Sequence, residues 1–232
     1  KKKLGILGGM GSEATVLFYK KIIDNTSVNN DREHLDILVY NHASIPDRTE
    51  CILCGKQDYL WNIIAEDIRS MEKFGCEYFS IPCNTCHYFA DRLQELTNGK
   101  FINMIEETAR YAFERGRKKV GVMATDGTVR GGMYKKALEK YGIEVVYPSE
   151  ERQKDVMSLI YEQIKRGEKG DRHQFMEVVH ELRGQGCDAV ILACTELSVL
   201  NVNYSLNPDF YIDAMNVVAK ACIEKCGGIY CE

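Results

Sequence analysis

Short apolar runs alternate with amphipathic segments along the chain, and this alternation predicts the order of its secondary structure. In the segment 58–74, for example, Leu60, Ile64 and Ile68 recur at the spacing of one helix face. The apolar runs predict strands at 4–7, 37–40, 78–81, 120–123, 144–146 and 189–192. The amphipathic segments predict helices at 12–25, 58–74, 133–141, 155–165, 172–183 and 214–225. Strands that alternate with helices are typical of an α/β protein with parallel sheets.

The two halves of the sequence look like copies of each other, at a spacing of about 110 residues. Four pairs of similar segments occur in the same order: 5–7 with 121–123, 19–21 with 134–136, 75–77 with 186–188, and 101–103 with 211–213. On the same spacing Cys83 falls on Cys194. The repeat predicts two similar α/β domains, the first at 1–100 with the segment 209–232 packed on it, and the second at 101–208.

Each half places a cysteine directly after a buried strand, at Cys83 and at Cys194. Ligands of parallel sheets bind beyond the carboxyl ends of the strands. If a pseudo-twofold axis relates the halves, the two thiols face each other across a cleft, at a separation of roughly 7 Å when a reacting carbon lies between them. One thiolate could then remove a proton from that carbon while the opposite thiol donates one to its other face.

The composition is that of an ordinary water-soluble protein, with 45% hydrophobic residues, 28% charged residues and a formal net charge of -4. The sequence has neither a basic stripe nor an apolar run of membrane-spanning length, so we expect no nucleic-acid or membrane partner. No secretory signal is recognisable at the first apolar run, which favours the cytoplasm. In that compartment the ten cysteines are expected to be thiols rather than disulfides.

Three motifs resemble those of a known family, the aspartate/glutamate racemases that work without pyridoxal phosphate, and in particular its aspartate racemase branch. They are GGMGSEAT at 8–15, PCNTCH at 82–87 and ACTEL at 193–197. The resemblance implies two similar α/β domains with the active site between them, commonly in a homodimer. It also implies interconversion of L- and D-aspartate, with glutamate as a second candidate substrate, and no cofactor or metal.

The resemblance carries residue roles to matching positions of this chain. Cys83 and Cys194 would be the catalytic acid and base. The substrate-binding positions would be Met10, Asp47, Arg48, Asn84, Thr85, Thr125, Lys165, Thr195 and Glu196. Among these, Arg48 and Lys165 would hold the carboxylates of the substrate, since both carry positive charge. The chain departs from the family at Ser12, where proline is common, and at Cys86, where methionine is frequent.

The chemistry explains why such residues are needed. An amino-acid α-proton is very weakly acidic without a cofactor, so a thiolate base requires strong electrostatic help. A turn from a strand into a helix offers backbone N–H groups and the positive end of the helix dipole, which favour a thiolate. Hydrogen-bond donors aimed at the substrate carboxylate would stabilise the negative charge that develops in the transition state.

Several other interpretations of the same residues remain open. Residues 83–87 fit the C-x-x-C-H pattern of haem attachment, and Cys83 with Cys86 fits a redox pair. Cys51 and Cys54 could complete a four-cysteine zinc site with them. Residues 9–14 fit a dinucleotide-binding turn, but the next predicted strand ends in Tyr40-Asn41 rather than in the acidic residue that holds ribose.

His87 could be an acid or base, although a packing or capping role is favoured for a lone histidine in a first helical turn. Two alternative functions fit the same cleft. One is a cysteine-dependent isomerase of a small dicarboxylate such as maleate, and the other is a ligand-binding protein without turnover. The presence of two thiols favours an enzyme, because a binding protein needs no paired acid and base.

Overall fold

The computed structural model describes residues 1–231. Over this range the chain forms eight strands, and their pairing is parallel throughout both sheets. The strands are β1 (Leu4–Gly8), β2 (Ile37–Asn41), β3 (Tyr78–Ser80), β4 (Lys100–Phe101), β5 (Lys119–Ala124), β6 (Glu144–Val146), β7 (Ala189–Ala193) and β8 (Tyr211–Asp213).

Helices connect successive strands, as parallel pairing requires. The α-helices are α1 (Ser12–Asp24), α2 (Arg48–Leu53), α3 (Gln57–Lys73), α4 (Ala90–Leu96), α5 (Met104–Glu114), α6 (Asp126–Arg130), α7 (Met133–Glu139), α8 (Glu150–Ser158), α9 (Arg172–Gly184), α10 (Thr195–Tyr204) and α11 (Ala214–Lys225). Short 3₁₀ segments occur at Asp31–Glu33, Asn84–Phe89 and Ile164–Arg166, and one π-helical turn at Leu159–Gln163.

The eight strands form two four-stranded sheets with the same topology. The first sheet has the order β2-β1-β3-β4, and the second has the order β6-β5-β7-β8. Strands β1 and β5 therefore occupy equivalent positions, as do β3 and β7, which precede the two cysteines. Gly75 and Gly186 also match, since both adopt left-handed backbone angles in the turn before these strands. The α/β class with two similar parallel sheets is confirmed.

The chain divides into two compact units. The first comprises Lys1–Met104 together with the C-terminal segment from Met215, and the second comprises Ile105–Ala214. The sequence-based boundaries at 100 and 209 differ from these by a few residues. The difference has a clear cause at the second boundary, because β8 (Tyr211–Asp213) pairs with β7 and so belongs to the second sheet.

Each unit has its own apolar core. In the first unit, α3 buries Leu60, Ile64, Ile68 and Met71 against the sheet, which is the face that its helical periodicity predicts. In the second unit, α8, the π-helical turn after it and α9 contribute fully buried side chains to the core. These include Val156, Leu159, Ile160, Phe175, Val178, Val179 and Leu182.

The structure differs from the sequence prediction in two ways. One helix was predicted for the segment 155–165, but it is the end of α8 followed by the π-helical turn and a 3₁₀ turn. Apolar spacing does not separate these helix types, because the buried residues Val156, Leu159, Ile160 and Ile164 keep a helical spacing through all three. The other difference is in elements that were not predicted, namely the strands β4 and β8 and the helices α2, α4, α5, α6 and α10. No helix within residues 1–231 is long and apolar enough to cross a membrane.

Candidate active site

Cys83 and Cys194 occupy equivalent positions where a strand gives way to a helical segment. Cys83 precedes the 3₁₀ segment Asn84–Phe89, and Cys194 precedes α10, each with an extended backbone. The first turns close with equivalent hydrogen bonds, from Cys86 N–H to the Cys83 carbonyl (3.2 Å) and from Leu197 N–H to the Cys194 carbonyl (3.0 Å). Both thiols are nearly buried, with 6% and 7% of each residue exposed.

In the first unit, the glycine turn after β1 brings Met10 towards Cys83. Gly9 has a φ of +91°, and a Cβ there would lie 2.4 Å from the carbonyl carbon of His42, so the turn requires glycine. The Sδ atom of Met10 accepts a hydrogen bond from the Cys86 thiol at 3.3 Å. Its carbonyl oxygen accepts another from Nη2 of Arg48 at 3.2 Å. The predicted residues Met10 and Arg48 therefore do lie together.

Arg48 is a buried cation beside Cys83. Its Nη1 donates to the carbonyls of Ile45 (3.4 Å) and Pro46 (3.2 Å), and its side chain also hydrogen-bonds to Cys83. Burial lowers the pKa of Arg48, but the attraction to Cys83 and to the Asp47 carboxylate, together with the hydrogen bond to Cys83, raises it more, so the net shift is upwards. Because this attraction acts on both partners, the guanidinium favours the thiolate form of Cys83.

Cys86 lies within the same buried cluster. Its side chain hydrogen-bonds to that of Cys83, and this bond, together with burial, holds the pKa of Cys86 well above its ordinary value. Cys86 is therefore held as a thiol. Asn84 and Thr85, between the two cysteines, are also buried, and Asp47 caps α2 by accepting a hydrogen bond from the N–H of Glu50 at 2.9 Å.

His87 is a tether and not a proton-transfer group. Its Nδ1 lies 2.9 Å from the carbonyl oxygen of Cys83, and its Nε2 accepts a hydrogen bond from the backbone N–H of Met104 at 3.0 Å. A backbone N–H can only donate, so the proton of the neutral ring is on Nδ1. Burial lowers the pKa of His87 to about 4. The favoured packing or capping interpretation therefore agrees with the observed contacts.

The Cys194 site has a negative neighbour. The Cys194 thiol donates to Oε2 of Glu196 at 2.9 Å, and the hydroxyl of Thr195 donates to the same oxygen at 3.2 Å. Burial raises the pKa of Cys194 well above its ordinary value, and the charge and hydrogen bond of Glu196 raise it further. Lys165 acts in the opposite direction through its positive charge. Cys194 is consequently held as a thiol.

Thr125 and Lys165 complete the predicted residues of the second unit. Thr125 follows β5 as Cys194 follows β7, and the preceding residues Ala124 and Ala193 are paired neighbours in the sheet. Thr125 is the N-cap of α6. Lys165 is exposed, and its ammonium lies 3.8 Å from the ring centroid of Tyr161 on the π-helical turn. The second unit thus gathers Thr125, Lys165, Thr195 and Glu196 around the end of its sheet.

A polar network that was not predicted from the sequence anchors α10. Asp213, at the end of β8, accepts hydrogen bonds from the Ser198 hydroxyl (2.6 Å) and from the Asn201 side chain (2.9 Å). Asp213 is nearly buried. The repeat contained a signal for it, because Asp213 matches Asn103 in the first half.

The arrangement of the cysteines bears on the four-cysteine zinc site that the sequence left open. Within residues 1–231, the His, Cys, Asp and Glu side chains form no group of three or more that could hold a metal ion. Cys51 is buried on α2, whereas Cys54 is exposed at its end. The donor set at the two cysteine sites is instead suited to proton transfer, since it consists of thiols next to a cation in one unit and next to a carboxylate in the other.

Two sheets of identical topology, each with a buried thiol at the end of an equivalent strand, define a duplicated α/β enzyme with one thiol site in each half. The model of the Asp/Glu/Hydantoin racemase family matches residues 7–222. The chain therefore belongs to the Asp/Glu/hydantoin racemase family, and it is an amino-acid racemase similar to the aspartate racemases.

Individual relatives agree with this family. The broad-specificity amino-acid racemase RacX of Bacillus subtilis (strain 168) is 26% identical over 202 residues, covering 85% of this chain and 86% of its own. The structure of an aspartate racemase from Picrophilus torridus is 30% identical, with a TM-score of 0.82, over 100% of this chain and 96% of that one. An aspartate racemase homologue from Pyrococcus horikoshii OT3 is 25% identical, with a TM-score of 0.78, over 97% of this chain and 99% of that one.

Proposed function

We propose that this racemase interconverts L- and D-aspartate without a cofactor, and that Cys83 and Cys194 exchange the protons. The observation that carries the proposal is the opposite electrostatics of two equivalent thiols. Arg48 favours a thiolate at Cys83, whereas burial and Glu196 hold Cys194 as a thiol. A two-base racemase needs this combination in its resting state, because one group must accept a proton while the other can donate one.

The proposed reaction moves one proton at each thiol. The Cys83 thiolate removes the α-proton from one enantiomer, and the Cys194 thiol delivers its own proton to the opposite face of the same carbon. This leaves Cys83 as the thiol and Cys194 as the thiolate, which is the starting state for the reverse direction. Lys165, the nearby positive group of the Cys194 site, lowers the pKa of Cys194 and so makes this exchanged state accessible.

The charged and polar neighbours support a dicarboxylate substrate. Asn84, Thr85, Thr125 and Thr195 all follow strand ends, where their hydroxyl, amide or backbone N–H groups could donate to a carboxylate. Lys165 could pair with a second carboxylate as a point charge. Arg48 is less suited to that role, since its hydrogen bonds to three carbonyls and to Cys83 use most of its five donors. We assign Arg48 instead to the Cys83 thiolate.

Aspartate is proposed as the main substrate because structurally similar proteins include an aspartate racemase at 30% identity over the whole chain. The similarity to a broad-specificity racemase favours activity on further amino acids as a second candidate. A panel containing aspartate, glutamate and neutral amino acids would therefore measure kcat/KM for each. A preference for aspartate of at least about tenfold would support the first assignment, and a flat profile would support the second.

The decisive experiment follows α-proton exchange. The reduced protein is incubated in D₂O with L-aspartate, and in a parallel sample with D-aspartate, while proton NMR records the α-proton and chiral chromatography records the product. We expect deuterium at the α-carbon of the product enantiomer from either substrate. Cys83→Ala and Cys194→Ala should each reduce racemisation by on the order of 10³-fold or more. Cys54→Ala, at an exposed cysteine, is the matched control.

Each alternative has its own outcome in this assay. Full racemisation by either alanine variant at Cys83 or Cys194 would refute the two-thiol mechanism. A wild-type protein that exchanged no α-proton of any amino acid, but isomerised maleate, would move the activity to the dicarboxylate isomerases. A protein that bound aspartate without exchange or turnover would be a binding protein.

A further inference from the structure

Cys86 is a second thiol beside Cys83 for which the racemase reaction has no use. It is fully buried, and its side chain hydrogen-bonds both to Cys83 and to the Sδ atom of Met10. The equivalent position of the second unit is Leu197, a fully buried aliphatic residue. Packing at this point of the fold therefore does not require sulfur, and the C-x-x-C pair in the first unit needs its own explanation.

The backbone between the two cysteines suits a disulfide. The Cys86 N–H donates to the Cys83 carbonyl at 3.2 Å, so residues 83–86 form a tight turn. Such a turn keeps its end Cα atoms less than about 7 Å apart. This range overlaps the separation of roughly 4.4–6.8 Å that disulfides require. The two side chains are already in hydrogen-bond contact, so bond formation needs side-chain rotation rather than movement of an element.

We propose that Cys83 and Cys86 are a reversible oxidation site, at which a peroxide converts the two thiols to a disulfide. The disulfide would switch the enzyme off, because Cys83 could no longer exchange protons, and it would protect Cys83 from irreversible oxidation. The loss of activity rests on the proposed function of Cys83. The disulfide itself rests only on the placement of the two side chains.

The reaction proceeds in two balanced steps. The Cys83 thiolate attacks one oxygen of hydrogen peroxide, which forms the S–O bond of a sulfenic acid and releases hydroxide as the O–O bond breaks. The Cys86 sulfur then attacks the sulfur of Cys83, forming the S–S bond while the S–O bond breaks. The Cys86 proton and the departing hydroxide leave as water. Cys83 and Cys86 are thereby oxidised, and the peroxide is reduced.

The surroundings set the order of these steps. Cys83 is slightly exposed, whereas Cys86 is fully buried. Arg48 also favours the thiolate of Cys83, which is the form that reacts with peroxide. Cys86 is fully buried and remains a thiol, so it is protected from direct attack but lies in place to react with Cys83. Cys83 is therefore the attacked cysteine, and Cys86 resolves the sulfenic acid.

The chain contains a matched control motif with the same spacing. Cys51 and Cys54 are also separated by two residues, but Cys51 is buried on α2, whereas Cys54 is exposed at the end of that helix. Exposure alone would direct oxidation to Cys54. The proposal instead predicts that a limited amount of peroxide oxidises the buried pair, because the cation and the resolving thiol are found there.

The test uses the full chain, reduced and then treated with one equivalent of hydrogen peroxide. After alkylation of the remaining thiols, mass spectrometry of the intact protein and of its peptides identifies the oxidised residues. We expect a mass decrease of about 2 Da relative to the reduced protein before alkylation, a single link between Cys83 and Cys86, and loss of racemisation that dithiothreitol reverses. In Cys86→Ser, treated with at least two equivalents of hydrogen peroxide, Cys83 should take up two oxygen atoms, one from each peroxide, and gain about 32 Da as sulfinic acid, which dithiothreitol does not reverse.

The remaining outcomes are equally decisive. Cys54→Ser should behave as the wild type in every readout. A link at another pair of cysteines, or oxygen added to Cys83 while Cys86 stays open to alkylation, would overturn the proposal. Peptide mapping of the wild type gives this answer even if Cys86→Ser fails to fold. Peptide mapping also locates the disulfide if the chain shows no racemase activity. Failure of the disulfide proposal and failure of the proposed function are therefore distinguishable.

Discussion

The two cysteine sites lie at equivalent points of a repeated fold, yet their nearest charged groups have opposite signs. Cys83 hydrogen-bonds to the guanidinium of Arg48, whereas Cys194 donates to the carboxylate of Glu196 at 2.9 Å. Both thiols follow a buried parallel strand and begin a helical segment. The repeated backbone therefore determines where each thiol lies, and the neighbouring side chains determine whether it holds its proton.

The hydrogen bonds that anchor the segments after the two cysteines also differ in their chemistry. His87 and Ser198 are equivalent residues of the repeat, and each connects the segment after its cysteine to the region where the fourth strand of its unit gives way to a helix. His87 does so by accepting the N–H of Met104, the first residue of α5, and Ser198 by donating to Asp213, the last residue of β8. The acceptor of the first link is thus an imidazole nitrogen, which can no longer accept when it is protonated. Protonation of His87 should consequently break the link of the first site.

Removing the cation from the first site should have the largest effect. In Arg48→Met the Cys83 thiolate loses its buried positive partner, so we expect kcat/KM for aspartate at neutral pH to fall on the order of 10³-fold. The pH at which Cys83 becomes reactive towards iodoacetamide should rise in parallel. This alkylation rate, measured on Cys83-containing peptides across pH, reports the thiolate directly and does not depend on turnover.

Arg48→Lys separates charge from structure in this prediction. Lysine keeps the positive charge but has three N–H donors where arginine has five, so it cannot bond to the three carbonyls and Cys83 together. It should therefore restore much of the thiolate reactivity of Cys83 but not all of these hydrogen bonds. The alkylation profile of Cys194 should be the same in all three proteins. An unchanged Cys83 profile in Arg48→Met would show that the guanidinium does not set the protonation of Cys83.

Acid should destabilise the first unit through His87. Burial lowers the pKa of His87 to about 4, so between pH 6.5 and 4 the unfolded chain binds a proton at this residue that the folded chain does not. The free energy of unfolding should therefore fall as the pH falls through this window, by on the order of 3 kcal/mol from this residue alone. Denaturant unfolding at intervals from pH 7 to pH 4 measures the slope.

His87→Gln isolates this contribution from those of other titratable groups, such as Asp67, whose pKa burial raises. Glutamine offers a donor and an acceptor but does not titrate, so its variant should lose less stability on acidification than the wild type. Equal pH slopes for the two proteins would contradict the assignment of His87 as a neutral tether.

The fold could be predicted from the sequence because apolar spacing and the internal repeat describe the same architecture. The runs that predict strands at 4–7 and 120–123 fall on β1 and β5, which occupy the same position in their sheets. The pattern was insufficient where a local hydrogen bond decides the structure. Helix α2 begins at Asp47, whose carboxylate caps the N–H of Glu50, and the pair Asp47 and Glu50 has the spacing of a capping box.

The places of the candidate residues at strand ends could be predicted from the sequence, but their electrostatics could not. Strand ends and motifs singled out Cys83, Cys194 and Glu196, since these lie close together in the sequence or match across the repeat. The pairing of Arg48 with Cys83 joins residues from α2 and from the end of β3, and a single sequence cannot show that they meet. Nor could it show that the carbonyls of Met10, Ile45 and Pro46 take up most of the donors that a bidentate carboxylate contact would need.

Neutralising the carboxylate of the second site should have the smallest of these effects. In Glu196→Gln the Cys194 thiol loses a negative partner, so the pKa of Cys194 should fall towards the value that burial alone sets, and its alkylation should begin at lower pH. Burial still keeps Cys194 protonated at neutral pH, so we expect kcat/KM to change by less than about tenfold. Because L- and D-aspartate are equally stable, any change in kcat/KM must be equal in both directions, while kcat alone can diverge between them. Ser198→Ala is the control, because it disturbs the same helix without changing charge. It should leave the alkylation profile of Cys194 unchanged. An equal shift in both variants would assign the effect to helix α10 instead of to the carboxylate.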